Sequence, residues 1–431
     1  MRKRAPGTGV RAPGYPSMSG QEARGARVSE PRAPSPAPRI SWSSPLPPTR
    51  SGVADYATEV LPPLATLAGV RIVRPPGWDA GLAGAWQTDL KTVAATAPPR
   101  AGWTELLHLG NNPYHLWVLA RLRRHGGVVV LHDTVLHHLL VEEAAATGEW
   151  QRWESEMQAS HGRAGAAVAA ARRWGITGRL DPFLFPARRA VLAWASAAIV
   201  HSAAAERAVR RAQPRLPVRR VPLAVAALPP GDRGYWRRRM KARKGELVLA
   251  HLGFLTPEKG LDAVLHALVA LDELRVPFRF VVVGDGIRES RFAQAVANVG
   301  LSDRVILWGY ADRDQLGGLL GAVDIGLVPR YPTAGETSAA ALRFLGAGTP
   351  VIVSGFGQFL ELPPSAALRI APGRHGIADL VRWVAWLAAN RDALAESRRA
   401  ARAAWEDGGH DPEEAAAALC DAVGELGAGL V

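Results

Sequence analysis

Cysteine is almost absent from this chain, since Cys420 is the only one in 431 residues. One cysteine excludes an internal disulfide framework and a cysteine metal cluster, and it suits a reducing cytoplasm. Long apolar runs are missing too, because none approaches the roughly 18 residues that span a membrane. The basic N-terminus lacks the apolar segment of a secretory signal. We therefore predict a cytoplasmic protein and leave open a peripheral position at the inner membrane face.

Lysine is scarce and arginine is abundant, and the formal net charge is +13 at pH 7. Eight Lys or Arg and two Glu give residues 1–40 a charge of +6, so the remaining body carries +7. A basic body favours nucleic acid, an anionic membrane surface or anionic substrates as partners. The sequence contains no recognisable nucleic-acid module, so we predict no nucleic-acid partner.

Apolar segments predict strands that alternate with helices along most of the chain. This order indicates the α/β class, with two open, doubly wound parallel sheets. The N-terminal tail is rich in Pro, Gly, Arg and Ser, and this composition cannot bury a core. The predicted organisation is a disordered tail (1–38), a first domain (39–225), a linker (226–245), a second domain (246–405) and a C-terminal helix (406–431).

The stretch from Pro329 to Leu362 carries the clearest local signal. An apolar strand ends, a loop follows, and Glu336 opens the sequence Glu-Thr-Ser in front of an alanine-rich helix that stops at Gly348. Ser, Thr and Glu before a helix and Gly after it are typical boundary residues. Because free N–H groups and the helix dipole favour an anion, the amides of Thr337 and Ser338 are candidate phosphate ligands.

Glu336 and Arg343 are seven residues apart, about two helical turns, so they are predicted to share one helix face. A carboxylate accepts hydrogen bonds from sugar hydroxyls, and a guanidinium grips phosphate or that carboxylate. Both residues are therefore candidate ligands. The alternative, a capping glutamate with a surface ion pair, stays open.

Two polar residues, His132 and Asp133, follow the apolar strand at residues 128–131. A polar residue at the carboxyl end of a parallel strand often lines an active-site crevice. His132 is then a candidate to bind or deprotonate an acceptor hydroxyl, with Asp133 orienting it. A purely structural histidine stays open. The spacing to His137 is not a recognised metal signature, and we predict no metal site.

Glycine-containing loops follow other predicted strands. Gly52 opens a helix after the first strand, an arrangement that suits phosphate, although an ordinary strand–helix connection gives the same pattern. In the second domain Gly253 follows a strand, Lys259 stands just before the next helix, and Gly284 ends a further strand.

These motifs, in this order, resemble the GT-B glycosyltransferases, and family 4 in particular. The resemblance covers roughly residues 40–400 and rests on the strings SPLPPTRSGVADYATEVL, GNNPYH and VLHDTVLHHL and on the Glu336 segment with its Gly-Thr-Pro-Val ending. It implies two Rossmann-like domains that face a cleft, with the C-terminal helix crossing back over the first domain. It also implies that Gly52 faces the donor diphosphate, that Glu336 contacts the sugar and that the amides beyond it hold the distal phosphate.

The same resemblance assigns further donor contacts, and the chain departs from the family pattern at two positions. Lys259 matches a phosphate-binding lysine, and Gly284 lies in a glycine turn beside the base. Phe254 stands where the family has a phosphate-binding arginine, and Arg330 is the candidate substitute. Arg343 replaces the glutamate that holds the nucleotide ribose, with the spacing one residue short.

The resemblance implies an enzyme that moves a sugar from a nucleotide-sugar to a hydroxyl of a glycan, a lipid-linked sugar or a small molecule. It further implies retention at the anomeric carbon, no obligatory metal, no cofactor besides the donor, and a role in polysaccharide biosynthesis. Two alternatives stay open: a GT-B enzyme of other chemistry, such as an epimerase or a phosphorylase, and a binding or scaffold protein on a catalytically decayed frame. The basic residues 237–244 of the linker could touch an anionic lipid surface, although a solvated linker helix is favoured.

Overall fold

The computed structural model describes residues 37–79, 90–286 and 291–428, so the predicted disordered tail lies almost entirely outside the described residues. Strands and helices alternate from the first described element onward. The elements of the first half are β1 (Arg39–Ser43), α1 (Gly52–Leu67), β2 (Gly69–Val73), β3 (Lys91–Val93), β4 (Thr104–Leu109), α2 (Leu116–His125), β5 (Val128–Leu131), α3 (His137–Thr147), α4 (Trp150–Arg173), α5 (Asp181–Leu184), α6 (Arg188–Leu192), β6 (Ala197–Val200), α7 (Ala203–Ala212) and β7 (Val218–Arg220).

A short helix lies in the segment predicted as the linker, and a second alternating run follows it. These elements are α8 (Arg233–Arg239), β8 (Leu247–Leu252), α9 (Leu261–Glu273), β9 (Phe278–Val283), α10 (Phe292–Asn298), β10 (Val305–Gly309), α11 (Arg313–Ala322), β11 (Ile325–Val328), α12 (Ala339–Gly346), β12 (Val351–Ser354), β13 (Ala367–Ile370), α13 (Ile377–Ala389), α14 (Arg391–Asp407) and α15 (Pro412–Ala428).

The described strands pair in parallel and form two sheets. The first has the order β3-β2-β1-β4-β5-β6-β7, and the second has the order β10-β9-β8-β11-β12-β13. The predicted fold class, α/β with two Rossmann-like parallel sheets, is therefore confirmed. In each sheet the strand order reverses once, between β1 and β4 and between β8 and β11. Such switch points open a crevice at the carboxyl ends of the strands, where ligands bind in this class of fold.

Apolar strands explain why both sheets are buried. Every residue of β5 and of β12 is buried, and only Ser354 among them is polar. Parallel strands that helices cover on both faces require such continuous apolar runs. The layers between sheets and helices are filled by large fully buried side chains, among them Trp42, Trp153, Phe278 and Phe344.

Two glycines bring the loops of the second sheet together. Gly284 has a φ of +143°, and a Cβ there would lie 2.2 Å from the carbonyl oxygen of Gly253. Gly260 has a φ of +71°, and its Cβ would lie 2.4 Å from the carbonyl oxygen of Pro329. Both positions therefore need glycine for conformation and for space. As a result, the loop after β8 is held against the loops after β9 and β11.

The two sheets face each other, and several contacts join their domains. Helix α15 packs against α1, so the last helix returns to the first sheet. The N–H groups of Thr134 and Val135 both donate to the carbonyl oxygen of Ala334, each at 2.8 Å. The carboxylate of Glu361 accepts from the first two N–H groups of α7, each at 2.8 Å. These contacts fix the loop after β5 against the loop after β11.

Candidate functional site

The carboxyl ends of the two sheets enclose two adjoining cavities. The inner cavity, of about 400 Å³, lies between the loops after β5, β8 and β11 and the start of α12. The outer cavity, of about 460 Å³, lies between the loops after β1, β9 and β10. All the predicted site residues line this cleft: His132, Asp133, Lys259, Arg330, Glu336, Thr337 and Ser338 line the inner cavity, Gly284 lines the outer one, and Gly52, Gly253 and Arg343 line both.

Two cations dominate the inner cavity. Lys259 ends the loop after β8 and Arg330 opens the loop after β11, so the switch point places them in the same cavity. Arg330 forms an ion pair with Glu336, whose carboxylate also accepts from the Thr333 hydroxyl at 2.7 Å. Within the described ranges Lys259 has no ion-pair partner of its own. An ammonium without an ion pair thus lies beside the Arg330–Glu336 ion pair, and the carboxylate of Asp133 lies near both cations.

Burial disfavours the protonated forms of both cations. The pKa of Lys259 falls to about 7, first because burial desolvates the ammonium and then because Arg330 lies close, while Asp133 and Glu258 oppose the fall. Burial also lowers the pKa of Arg330. An anion bound in the inner cavity would add negative charge beside both cations and favour their protonated forms.

Helix α12 directs its N-terminus into the same cavity. Ser338 caps the helix by accepting from the N–H of Ala341 at 3.3 Å, and the N–H of Leu342 donates to the Ser338 carbonyl oxygen at 3.1 Å. The N–H groups that precede these two have no intrahelical partner, so they are available to an anion. The Thr337 hydroxyl is buried and has no hydrogen-bond partner in the part of the chain that the structure describes.

The predicted pairing of Glu336 with Arg343 on one helix face is wrong. Helix α12 begins three residues after Glu336, which therefore lies in the loop and turns back to Arg330. Arg343 reaches across the cleft instead. Its Nη2 lies 2.7 Å from the Glu59 carboxylate, and its Nη1 donates to the carbonyl oxygen of Ala226 at 2.6 Å. A glutamate of the first domain thus neutralises Arg343.

Helix α1 supplies an acidic pair that the sequence analysis did not single out. The Glu59 carboxylate also binds Arg313 at 3.0 Å, and its second oxygen accepts from the N–H of Ala226 at 2.8 Å. Asp55 lies four residues earlier and lines both cavities; burial raises its pKa, and Arg343 opposes that rise. The four-residue spacing, which puts both acids on one helix face, was the available signal.

Three histidines pack together at the wall of the inner cavity. The His132 ring centroid lies 5.3 Å from that of His108 and 5.2 Å from that of His201. Tyr56 lies edge-on to His132 with centroids 5.1 Å apart. Burial holds the pKa of His132 well below its usual range, and His201 and His108 lower it further. His132 is therefore a neutral imidazole at pH 7, the form that accepts a proton.

The prediction that Asp133 orients His132 is wrong. Nε2 of His132 lies 3.0 Å from Nδ1 of His108, so a histidine of the neighbouring strand holds the ring. Asp133 instead accepts from the N–H of Asn111 at 2.7 Å. Burial raises the pKa of Asp133, while that hydrogen bond and the nearby Arg330 oppose the rise. No local pattern singled out His108, because it lies inside a strand.

The outer cavity combines aromatic and charged side chains. Arg50, in the loop after β1, pairs with Asp285 at 3.3 Å and lies over the Tyr310 ring at 4.6 Å from its centroid. Phe254 is 46% exposed at the same opening. Flat aromatic faces of this kind can stack on a nucleobase.

The described residues contain neither a metal-binding cluster nor a membrane-spanning helix. No group of three or more His, Cys, Asp or Glu in the described ranges is arranged to hold a metal ion. None of the helices in those ranges combines the length and the apolar composition that crossing a bilayer requires.

Sequence comparisons match parts of this chain. Residues 232–403 match the sequence model of the family described as Glycosyl transferases group 1. The 2-deoxystreptamine glucosyltransferase of Streptomyces kanamyceticus is 31% identical over 33% of this chain and 36% of its own length. A GDP-mannose-dependent alpha-(1-6)-phosphatidylinositol dimannoside mannosyltransferase of Mycobacterium tuberculosis is 30% identical over 32% of this chain and 35% of its own length. The matches thus span about a third of these curated relatives.

Solved structures resemble nearly the whole chain. HepE from Anabaena, in complex with UDP-glucose, has a TM-score of 0.61 at 16% identity and covers 90% of this chain and 99% of its own. Sucrose-phosphate synthase from Thermosynechococcus elongatus has a TM-score of 0.60 at 18% identity and covers 87% of this chain and 92% of its own. The predicted GT-B fold is confirmed, and residues 232–403 resemble the group 1 glycosyltransferases in sequence.

Proposed function

We propose that this protein transfers a sugar from a nucleotide-sugar to a hydroxyl acceptor, with retention at the anomeric carbon, as the resemblance to family 4 implies. The anion site of the inner cavity carries this proposal. Lys259, Arg330 and the free N–H groups at the start of α12 converge at the switch point of the second sheet. Cations and helix amides together are the usual means by which proteins hold a diphosphate.

The two cavities suggest how the donor lies. The diphosphate binds Lys259, Arg330 and the α12 amides, and the sugar lies beside Glu336. The nucleoside then extends into the outer cavity, over Gly284 and towards Tyr310. A donor in this pose spans both cavities, which adjoin at Gly253 and its neighbours.

The chemistry follows from this pose. The bond between the anomeric carbon and the diphosphate oxygen breaks, and the acceptor oxygen bonds to the same face of that carbon. The negative charge that develops on the leaving diphosphate is stabilised by fixed cations and amides, without an obligatory metal. The acceptor enters from the side of His132, whose neutral ring can hydrogen-bond the attacking hydroxyl, and the hydroxyl proton passes to the leaving diphosphate oxygen on the same face.

The named relatives support this class of donor and acceptor. One solved neighbour was crystallised with UDP-glucose, and the curated relatives are named for a glucosyl transfer and for a GDP-mannose-dependent mannosyl transfer. We therefore propose a hexose donor carried on UDP or GDP, and a glycan, a lipid-linked sugar or a small polyol as the acceptor.

A donor panel tests the proposal. Wild-type protein is titrated with UDP and GDP and then incubated with UDP- and GDP-hexoses and a mixture of hydroxyl acceptors. The expected result is nucleotide release that depends on an acceptor. The anomeric proton coupling of the product should show the same anomeric configuration as the donor. Nucleotide binding without turnover on any acceptor would favour the scaffold alternative, and turnover without an acceptor would favour an epimerase or a phosphorylase. Lys259→Met is the matched control, because it removes the free cation and keeps the side-chain length.

A further inference from the structure

An exposed apolar segment lies on the first domain, between α4 and α6. Trp174 is 84% exposed, Ile176 is 68% exposed and Leu184 is 66% exposed. Leu180, between them, is 49% exposed. Scattered single apolar residues are normal on a surface, but four large exposed ones within eleven residues are a concentration that interaction sites typically show. We call residues 174–184 the apolar tip.

Positive charge surrounds the apolar tip. Residues 163–189 contain six arginines and one aspartate, a net charge of +5. Arg173 is paired with Glu154 at 2.8 Å, and Arg188 is largely buried. The cations left for a partner are therefore Arg163, Arg172, Arg179 and Arg189. Exposed tryptophan and leucine with arginines at their flanks suit the boundary of a lipid bilayer, where the apolar groups enter the acyl region and the cations meet anionic headgroups.

The apolar tip is tied to the acceptor side of the cleft. The N–H of Leu136 donates to the carbonyl oxygen of Pro186 at 2.8 Å, and Nδ1 of His137 lies 2.9 Å from the carbonyl oxygen of Phe185. Both contacts fix the segment just after the tip to the loop and helix that follow β5. The same loop carries His132 and Asp133 into the inner cavity, so a surface bound by the tip would lie near the entrance for acceptors.

The basic linker is a weaker candidate for the same role. Two of its arginines, Arg233 and Arg237, are bound to the carboxylate of Asp324 in the second domain. Arg239 lies over the rings of Tyr235 and Trp308. Much of the positive charge that the linker shows in sequence is thus used within the protein.

We propose that the apolar tip docks this protein on an anionic phospholipid surface, with Trp174, Ile176 and Leu184 inserted and the flanking arginines on the headgroups. Docking is separate from sugar transfer and holds whether or not the acceptor is a lipid.

Vesicle co-sedimentation of the full chain tests this proposal. Wild type binds vesicles of mixed phosphatidylglycerol and phosphatidylcholine, binds pure phosphatidylcholine far less, and loses binding as salt is raised. The triple variant Trp174→Ala, Ile176→Ser, Leu184→Ser lowers the partition coefficient about tenfold or more, since burial of one large apolar side chain is worth about a decade in affinity. Leu274→Ser, at a residue 62% exposed on the second domain, is the matched control and binds like wild type.

A second measurement keeps the test valid if the triple variant folds poorly. Brominated phosphatidylcholine in the anionic vesicles quenches the fluorescence of an inserted tryptophan. Trp174→Phe retains vesicle binding, but the quenched fraction of the emission falls. Three results would overturn the proposal: wild type that ignores anionic vesicles, a folded triple variant that binds like wild type, or equal quenching in wild type and Trp174→Phe. Loss of binding in a linker variant, Lys244→Glu, with the tip intact would overturn it as well.

Discussion

Binding of a nucleotide diphosphate at the inner cavity should take up a proton from solution. In the empty site the pKa of Lys259 is about 7, because burial and the neighbouring Arg330 disfavour the ammonium. A bound diphosphate places at least one negative charge beside that ammonium, which returns the pKa towards the ordinary value for lysine, about 10.4.

The size of the uptake follows from these two pKa values. At pH 8 a group with a pKa of about 7 is roughly 10% protonated, and with a pKa near 10 it is almost fully protonated. Lys259 therefore takes up about 0.9 proton per site on binding at pH 8 and about 0.1 proton at pH 6. UDP is almost fully ionised at pH 8, so the ligand itself contributes little there.

Calorimetry in buffers of different ionisation enthalpy measures this quantity directly, as the slope of the observed enthalpy against the buffer enthalpy. Lys259→Arg is the matched control, because arginine stays charged at both pH values and should bind the nucleotide with almost no uptake. Equal uptake in wild type and Lys259→Arg, or none in wild type at pH 8, would refute the assignment of Lys259 to the phosphates.

Three other predictions concern stability and turnover. The folded pKa of Lys259 lies below its unfolded value, so the free energy of unfolding of the wild type rises with pH between about 7 and 10. In urea titrations, the amount by which Lys259→Met is more stable than the wild type should therefore shrink by roughly 2 kcal/mol from pH 7 to pH 9. Glu59→Gln leaves Arg343 and Arg313 without their carboxylate and should lower the free energy of unfolding by about 3 kcal/mol in the same assay. The control Glu361→Gln removes the charge of an exposed helix cap and should lower it by about 1 kcal/mol or less. Equal losses in the two variants would contradict the buried role of Glu59. His132→Ala should lower kcat by about 10² to 10⁴ with nucleotide affinity unchanged, and a loss of affinity alone would assign His132 to the donor.

Local sequence patterns predicted the elements that present the site. The apolar runs of β5, β8 and β11 and the Ser338 cap of α12 are short-range features, and each has its expected place in the structure. Because the polar residues follow strand ends, their convergence on one cleft could be inferred from parallel-sheet topology alone. The short strand β3 was not predictable, since two of its three residues are polar.

Side-chain partners were harder to predict, because they depend on how the domains meet. Arg343 has its carboxylate partner, Glu59, 284 positions earlier in the chain. Only the approach of α1 to α12 brings the two together, and no local spacing encodes it. The error over Glu336 had a different cause. Its seven-residue spacing to Arg343 has meaning only within one helix, and the helix starts after Glu336.

A structure of the full chain with a bound nucleoside diphosphate tests the central claim most directly. The account predicts that the phosphates lie within hydrogen-bond distance of Lys259 Nζ, the Arg330 guanidinium and the first N–H groups of α12, with the base in the outer cavity towards Tyr310. Phosphates bound elsewhere, or at the same place in Lys259→Met with unchanged affinity, would contradict it.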